Sequence, residues 1–212
     1  MVRIAAPPPL RPPAPLFYTV SAGTHLVRIF NPTTPRQVGP LTFNHNGPRS
    51  RFDHHRCPTE NSPGPYCDDP ERGVYYAGWT LSCCIAECFG DYRMIDNPLV
   101  QVANPRVVRP LNLLDLCGNG GMRAGAVGAL ASIADRSVSQ AWARYFYEEA
   151  VFQRCDGIRY HNAHNAEPAV VLFERAKDAL HCPPEQVIPL ADPLLRTDLQ
   201  FIALQQDMIL TF

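Results

Sequence analysis

The chain has 212 residues, of which 46% are hydrophobic and 18% are charged, and its formal net charge is −1. These values exclude a collagen, a coiled coil and a fully disordered chain, and they suffice for one domain with a sizeable core. No apolar run approaches the roughly eighteen residues of a membrane span. The proline-rich start lacks the apolar stretch of a secretion signal, which predicts a cytoplasmic protein with reduced thiols.

The basic residues are unusual because eighteen are arginines and only Lys177 is a lysine. Residues 1–56 carry seven of these arginines and a single acid, Asp53, which is a local charge of +6. The remaining residues have a charge of −7. Arginine binds anions through a planar pair of donors, which lysine lacks. The distribution therefore favours a small anionic ligand or an acidic partner over a nucleic acid.

The first 24 residues predict a proline-rich arm, followed by one domain over residues 25–212. Six of the nine residues 7–15 are prolines, which exclude a helix and a central strand. The arm is predicted either to lie on the domain or to serve as a ligand for an SH3-like module. Regular structure is expected to begin near His25 with the strand HLVRIF, and residues 31–72 predict a long loop region.

The histidines and cysteines of this loop region do not predict a metal site. His54, His55, Cys57 and Cys67 are residue types that bind zinc, but their spacing is irregular. The sequence contains no C-x-x-C pair. We therefore expect no metal, and we expect the two histidines to contact solvent.

Local signals define the elements that follow the loop region. The segment GVYYAG (73–78) predicts a strand. Thr80 is the predicted N-cap of a helix over residues 81–89, whose apolar residues recur with helical spacing. Glu87 lies off that apolar stripe, so its carboxylate is expected either in solvent or directed into a cleft.

The second half of the chain alternates short strands and helices without a regular βαβ rhythm, which predicts an α+β fold. The predicted strands are residues 107–116 (one strand, or two broken at Pro110), 157–160 and 169–173. The predicted helices run from about Met122 to Ala134 and from about Ser139 to Arg154. The segment 201–212 fits either type.

The segment LLDLCGNGG (113–121) is similar to the first motif of a SAM-dependent methyltransferase, in which an acid and a glycine-rich turn follow a strand. However, Arg123 occupies the third glycine position of G-x-G-x-x-G. The expected second strand with its acid is replaced by the helical pattern SVSQAWARYFYEEA. A glycine-rich turn between a strand and a helix is therefore favoured.

Five short segments occur in a characteristic order: LVRIF with Arg28, SRFD with Arg51, VYYAGWTLSCCIAE with Glu87, then AWARYFYE and DGIRYHNAH. This order resembles the RES domain family, which is named for its Arg, Glu and Ser residues. The family is best known for the toxins of bacterial toxin–antitoxin pairs. The resemblance extends from about His25 to Phe173 and implies an ADP-ribosyltransferase-like fold, with a mixed sheet core flanked by helices.

The resemblance also implies a function. Family members consume NAD as a substrate by cleaving the bond between nicotinamide and ribose, and they transfer ADP-ribose to water, phosphate or a protein. A cognate antitoxin, of the Xre type in RES–Xre pairs, holds the toxin inactive. The alternative is a catalytically inactive module that keeps the fold and binds its ligand without turnover.

Residue by residue, Arg28 and Arg51 match the two arginines of the family and Glu87 matches its glutamate. The family tyrosine falls on Tyr76 if the spacing to the glutamate is ungapped, and on Tyr75 if the Y-x-A pattern is respected. These two side chains point to opposite faces of a strand, so one of them is expected in the core. The expected serine is replaced, because Tyr160 is followed by His161 and then Asn162.

The residue types suit this chemistry. Guanidinium groups such as those of Arg28 and Arg51 form paired hydrogen bonds with a pyrophosphate. The ring of Tyr75 or Tyr76 offers an aromatic face to nicotinamide. A carboxylate such as Glu87 stabilises the oxocarbenium-like ribose that forms as nicotinamide leaves. Asn162 provides a hydrogen-bond donor and acceptor in place of the serine.

Overall fold

The computed structural model describes residues 4–36, 38–56 and 66–212. The strands are β1 (Phe17–Val20), β2 (Arg28–Phe30), β3 (Asn46–Gly47), β4 (Cys67–Asp68), β5 (Val74–Gly78), β6 (Met94–Ile95), β7 (Gln101–Ala103), β8 (Arg106–Val107), β9 (Leu111–Asp115), β10 (Gly157–His161), β11 (Pro168–Phe173), β12 (Leu180–His181), β13 (Val187–Pro189) and β14 (Ile209–Leu210). The helices are α1 (Leu81–Phe89), α2 (Gly120–Arg123), α3 (Arg136–Glu148) and α4 (Arg196–Gln205). None of the helices in the described part of the chain has the length and apolar character needed to cross a bilayer.

Two sheets form the centre of the molecule. The larger has the strand order β1-β9-β10-β11-β5, in which only β9 and β10 are parallel. The smaller is antiparallel, with the order β13-β7-β2. A backbone bridge between Val27 and Gly78 joins β2 to the end of β5. This mixed sheet core with flanking helices confirms the predicted α+β class.

The larger sheet is buried on both faces because its strands alternate two sets of apolar side chains. Ile158 and Val171 face α3, where they pack in one cluster with Trp142. Val170 and Leu172 face the opposite side and join a second cluster. A third cluster packs α1 and α4 against the smaller sheet. Burial on both faces explains why β11 is a continuous apolar run in the sequence.

The N-terminal arm lies on the domain in its described part, as the first of the two interpretations predicts. The indole Nε1 of Trp142 donates to the carbonyl oxygen of Ala5 at 2.9 Å. Arg123 and Ala14 exchange two further hydrogen bonds. Regular structure begins earlier than predicted, because Phe17–Val20 pairs with β9. The aromatic and β-branched residues of FYTV are typical of a strand, but the neighbouring prolines obscured that signal.

Gly125, two residues after the end of α2, is one of the residues that contact the arm. Its φ is +88°, and a Cβ there would lie 2.6 Å from Cγ of Pro9. Gly125→Ala is expected to lower the free energy of unfolding by about 2 kcal/mol, since backbone strain and the clash add together. Gly23→Ala is the matched control, because its φ is +91° and nothing lies within 4 Å of the new Cβ. Urea denaturation measures the free energy of unfolding of both variants. An equal decrease in the two variants would contradict a contact between the arm and Gly125.

The structure corrects two predicted helices. The segment 122–134 is not one helix, because α2 ends at Arg123 and a separate 3₁₀ turn covers Gly128–Ser132. The second predicted helix starts earlier, at Arg136, where the Asp135 side chain accepts from Ser137 N at 3.0 Å. It ends at Glu148 rather than Arg154. The helix stops because Glu149 has an extended backbone, with ψ at 131°. It cannot resume up to Arg154, because Gln153 and Arg154 have positive φ angles that are incompatible with a right-handed helix.

Other local predictions are confirmed. Helix α1 covers the predicted residues 81–89, and the Thr80 hydroxyl caps it by accepting from Cys83 N at 2.9 Å. The segment 107–116 forms two strands on either side of Pro110. The ambiguous tail contains both types, since α4 ends at Gln205 and β14 follows.

Candidate active site

A cavity of about 310 Å³ lies where β2, β5 and the first helix meet. Arg28 enters it from β2, Tyr76 from β5 and Glu87 from α1. The loop containing Arg51 and the first residue of α3, Arg136, complete its wall. Residues separated by more than a hundred positions in the sequence therefore meet in one cleft.

Arg28 is held against the larger sheet by Tyr75. The guanidinium carbon lies 4.2 Å from the centre of the Tyr75 ring, a cation–π contact. Burial lowers the pKa of Arg28 because a charged group is destabilised away from water. Its Nη1 atom is buried and has no hydrogen-bond partner among the described residues. Arg28 as a residue lines the cavity, so it places a positive charge beside any anionic ligand bound there.

The two tyrosines of β5 take different places. Tyr75 is fully buried on the face away from the cavity, where its hydroxyl donates to Pro40 O at 2.9 Å and its pKa is raised by burial to about 12. Tyr76 lines the cavity. Its hydroxyl donates to Asp53 Oδ1 at 2.8 Å and accepts from Phe52 N at 3.0 Å. Because the hydroxyl is engaged on both sides, Tyr76 offers the cavity its ring.

Glu87 stands on the side of α1 that opens to the cavity. Desolvation by the surrounding wall raises the pKa of its carboxyl above the usual value, and the charges of His164 and Arg51 oppose this effect. The backbone N–H of Ala163 near the carboxylate also favours the ionised form. Glu87 is thus an exposed carboxylate at the cavity that neighbouring side chains partly desolvate.

The loop before Asp53 presents Arg51 to the same cavity. Phe52 is fully buried and packs edge-on against Tyr160, with ring centres 4.9 Å apart. This anchor fixes the neighbouring Arg51, whose Nη1 donates to the carbonyl oxygen of Ile133. The cluster containing Phe52 and Tyr160 is part of the core beneath the cavity.

Sequence reasoning missed Arg136. Its Nη1 donates to Arg49 O at 3.0 Å, and its side chain lines the cavity. The capping signal of Asp135 could have placed it at a helix start, but only the fold places that start beside Arg51. In the described wall, three guanidinium groups thus accompany one carboxylate, which favours a ligand with more than one negative charge.

Three cysteines of α1 form much of the cavity wall: Cys83, Cys84 and Cys88. Cys83 and Cys84 are buried, whereas Cys88 is exposed. Desolvation raises the pKa of Cys83 to about 11 and that of Cys88 to about 12. The thiols are therefore protonated at neutral pH and act as weakly polar wall atoms.

The sequence of the chain matches the RES domain over residues 25–194. The chain belongs to the RES domain family. Its fold is similar to a chain in the crystal structure of the M. tuberculosis MbcT–MbcA toxin–antitoxin complex, with a TM-score of 0.58 and 15% sequence identity. The similarity covers 86% of this chain and 92% of that chain. No curated protein matches the sequence significantly.

In this RES domain, Asn162 lies behind the cavity wall rather than in it. Its Oδ1 accepts from the backbone N–H groups of His164 and Asn165, both at 2.9 Å. Its Nδ2 lies 3.3 Å from Sγ of Cys83. Asn162 therefore stabilises the turn that carries the Ala163 N–H toward Glu87 and joins this turn to α1.

The histidine pair of the RES domain is not in solvent, contrary to the prediction. His54 and His55 are both fully buried. His54 Nε2 lies 3.0 Å from Glu174 Oε2, its ring stacks on Tyr147, and burial lowers its pKa. Long-range packing of the loop, which periodicity does not report, accounts for the difference.

The two remaining sequence hypotheses concern metal and methyl-donor binding. Cys57 of the zinc-compatible set lies outside the described residues. Within residues 4–36, 38–56 and 66–212, no group of three or more side chains could hold a metal ion. The glycine-rich turn after β9 is not part of the cavity wall, and Asp115 in front of it is paired with Arg159 at 3.1 Å. A role in binding a methyl donor therefore has no structural support in this RES domain.

Proposed function

We propose that this RES domain binds NAD in the cavity and cleaves the bond between nicotinamide and ribose. The observation that carries the proposal is that Arg28, Arg51, Tyr76 and Glu87 line one cavity. Arg136 adds a third guanidinium group to that wall. These groups together match a dinucleotide, which has two phosphates, an aromatic base and a cationic nicotinamide.

The residues divide the work by their chemistry. The guanidinium groups of Arg28 and Arg51, with Arg136 beside them, bind the pyrophosphate. The ring of Tyr76 packs against nicotinamide. As the C–N bond breaks, its electron pair goes to the nicotinamide nitrogen, and positive charge develops on the ribose. The Glu87 carboxylate stabilises that charge, an acceptor oxygen bonds to ribose C1′, and the acceptor loses its proton.

The direct test is to incubate the purified protein with NAD and follow free nicotinamide by chromatography, with Glu87→Gln as the control. Release by the wild type but not by the variant supports the proposal. Mass spectrometry of the second product distinguishes ADP-ribose, its phosphate ester and a modified protein. Equal release of nicotinamide by both proteins, or no release by either, would contradict the enzymatic hypothesis. Binding of NAD without release would instead identify an inactive binding module.

Asn162 provides a sharper test of the inactive module. A serine at this position can still accept from the backbone N–H two residues later, whereas alanine cannot. Asn162→Ser is therefore expected to release nicotinamide within about threefold of the wild-type rate, and Asn162→Ala about tenfold more slowly, because the N–H groups of His164 and Asn165 lose the acceptor that holds the turn beside Glu87. Both rates come from the same chromatographic assay. A gain of tenfold or more in Asn162→Ser would mean that asparagine inactivates the domain.

We also propose that the domain acts as a toxin in the cytoplasm and that an antitoxin of the Xre type neutralises it. The similarity to a chain from the MbcT–MbcA toxin–antitoxin complex supports this proposal. The local charge of +6 over residues 1–56 supports an acidic surface on that partner. Expression of the wild type in a bacterial host should deplete NAD and arrest growth, whereas Glu87→Gln should do neither. Arrest without NAD loss would contradict the proposed activity.

A further inference from the structure

Asp53 is a fully buried carboxylate beneath the cavity wall. Its Oδ2 accepts from the backbone N–H groups of Arg49 at 2.7 Å and Ser50 at 2.9 Å. Its Oδ1 accepts from the Tyr76 hydroxyl at 2.8 Å. A buried charge is expensive unless hydrogen bonds satisfy it, and these three donors come from two separate parts of the chain.

The same hydrogen bonds connect the two sides of the cavity. The 49–53 loop folds around the Asp53 carboxylate, with Arg51 near its middle. On the opposite side, Tyr76 belongs to β5, a rigid strand of the larger sheet. Phe52 N donates to the Tyr76 hydroxyl at 3.0 Å, so a second bond joins loop and strand at the same point. The position of the Arg51 backbone relative to the Tyr76 ring therefore depends on the Asp53 carboxylate together with the anchored Phe52.

We propose that Asp53 is a positioning residue that holds the 49–53 loop against Tyr76 and thereby sets the affinity for NAD; its effect on NAD rests on the proposed function. Asp53 itself lies behind the wall and touches no reacting atom. Its action is transmitted through Arg51, which contacts the phosphates, and through Tyr76, which contacts nicotinamide. One side chain thus orients the residue that binds the pyrophosphate and the residue that binds nicotinamide, the two groups attached to the reacting ribose.

An amide cannot replace this carboxylate. Asparagine at position 53 would keep one acceptor oxygen, but its NH₂ group would face either the two backbone N–H groups or the Tyr76 hydroxyl. The hydroxyl already accepts from Phe52 N, so its own hydrogen would lose the present acceptor. Asp53→Asn is expected to loosen the loop while preserving side-chain volume and the surrounding core.

The test is a kinetic comparison of wild type, Asp53→Asn, Tyr76→Phe and the double variant in NAD cleavage. Asp53→Asn is expected to raise KM for NAD by about tenfold and to change kcat by less than about threefold, because the binding groups are displaced and Glu87 is not. The KM of the double variant is expected to equal the higher of the two single-variant KM values within about twofold. Both substitutions break the same hydrogen bond between Asp53 and Tyr76, so their effects should not add. An unchanged KM, or fully additive effects, would overturn the proposal.

Glu71→Gln is the matched control, because it removes an exposed carboxylate from the same region of the chain, and the Glu71 side chain is paired with Arg56 rather than with the 49–53 loop. Its KM and kcat are expected to equal those of the wild type. Hydrogen exchange supplies a readout that does not need activity: the amides of Arg49 and Ser50 should exchange about tenfold faster in Asp53→Asn. If the wild type releases no nicotinamide, the proposed function fails, and the exchange rates alone decide whether Asp53 holds the loop. Unchanged protection of both amides would refute that role.

Discussion

The Glu87→Gln variant is expected to release nicotinamide about 100-fold to 1000-fold more slowly than the wild type while still binding NAD. Glutamine keeps the size of the side chain and an oxygen that can accept from the Ala163 N–H. It lacks the negative charge that stabilises the positive ribose. Because the cavity partly desolvates the Glu87 carboxylate, that charge acts more strongly than it would in water. Single-turnover measurements of nicotinamide release separate this chemical step from binding.

The pH dependence tests the same charge. The folded protein raises the pKa of Glu87 above its usual value, so the carboxylate takes up a proton at a higher pH than an unperturbed glutamate. The wild-type rate should therefore decrease as pH falls through this raised pKa, and the residual rate of Glu87→Gln should show no such decrease. Glu149→Gln, at an exposed position just after α3, is the control and should retain the wild-type profile. A Glu87→Gln variant with more than a third of the wild-type rate would contradict the assignment.

Arg28→Met is expected to have opposite effects on binding and stability. The affinity for NAD should fall by about 30-fold to 100-fold, since charge-assisted hydrogen bonds to a phosphate contribute about 2–3 kcal/mol. The free energy of unfolding should rise by about 1 kcal/mol, because relief of the desolvation of a buried charge exceeds the lost contact with Tyr75. Methionine fills a similar volume without a charge. The empty site is thus destabilised by the residue that the ligand requires.

Calorimetric titration with NAD and urea denaturation measure the two effects on the same sample. Arg106→Met is the matched control, since Arg106 is an exposed arginine on β8. It should leave both quantities within experimental error of the wild type. Binding of NAD by Arg28→Met within threefold of the wild-type affinity would exclude Arg28 from the binding site. A large decrease in the free energy of unfolding of Arg28→Met would show that Arg28 stabilises the folded core instead.

The elements that local sequence could predict are those with local causes. Helix α1 depends on the Thr80 cap and an apolar stripe, both within ten residues, and it was predicted to the residue. The same stripe left Glu87 either in solvent or directed into a cleft, and the structure shows it in the cavity wall. Alternation in β5 correctly separated Tyr75 from Tyr76, but it could not say which face bordered the cavity. That decision depends on where β2 and the 49–53 loop pack, which are long-range contacts.

The predictions that were wrong or missing concern residues whose surroundings depend on long-range contacts. Arg136 reaches the cavity only because α3 starts next to the Arg51 loop, a relation between residues 85 positions apart. His54 is buried by Tyr147, Phe173 and Glu174, which follow more than 90 residues later. The interruption of the predicted helix 122–134 includes Gly125, which contacts Pro9 of the N-terminal arm. Propensity reports none of these contacts because it averages over near neighbours.

The cysteines along α1 have a consequence for inhibitor chemistry. Reagents that capture cysteine react with its anion, and the raised pKa values of Cys83 and Cys88 leave almost none of it at neutral pH. The same property slows oxidation by peroxide, which also attacks the anion. Electrophilic compounds aimed at this wall should therefore label the protein slowly despite three neighbouring sulfur atoms. Reversible compounds that carry an anion for Arg28 are the better starting point.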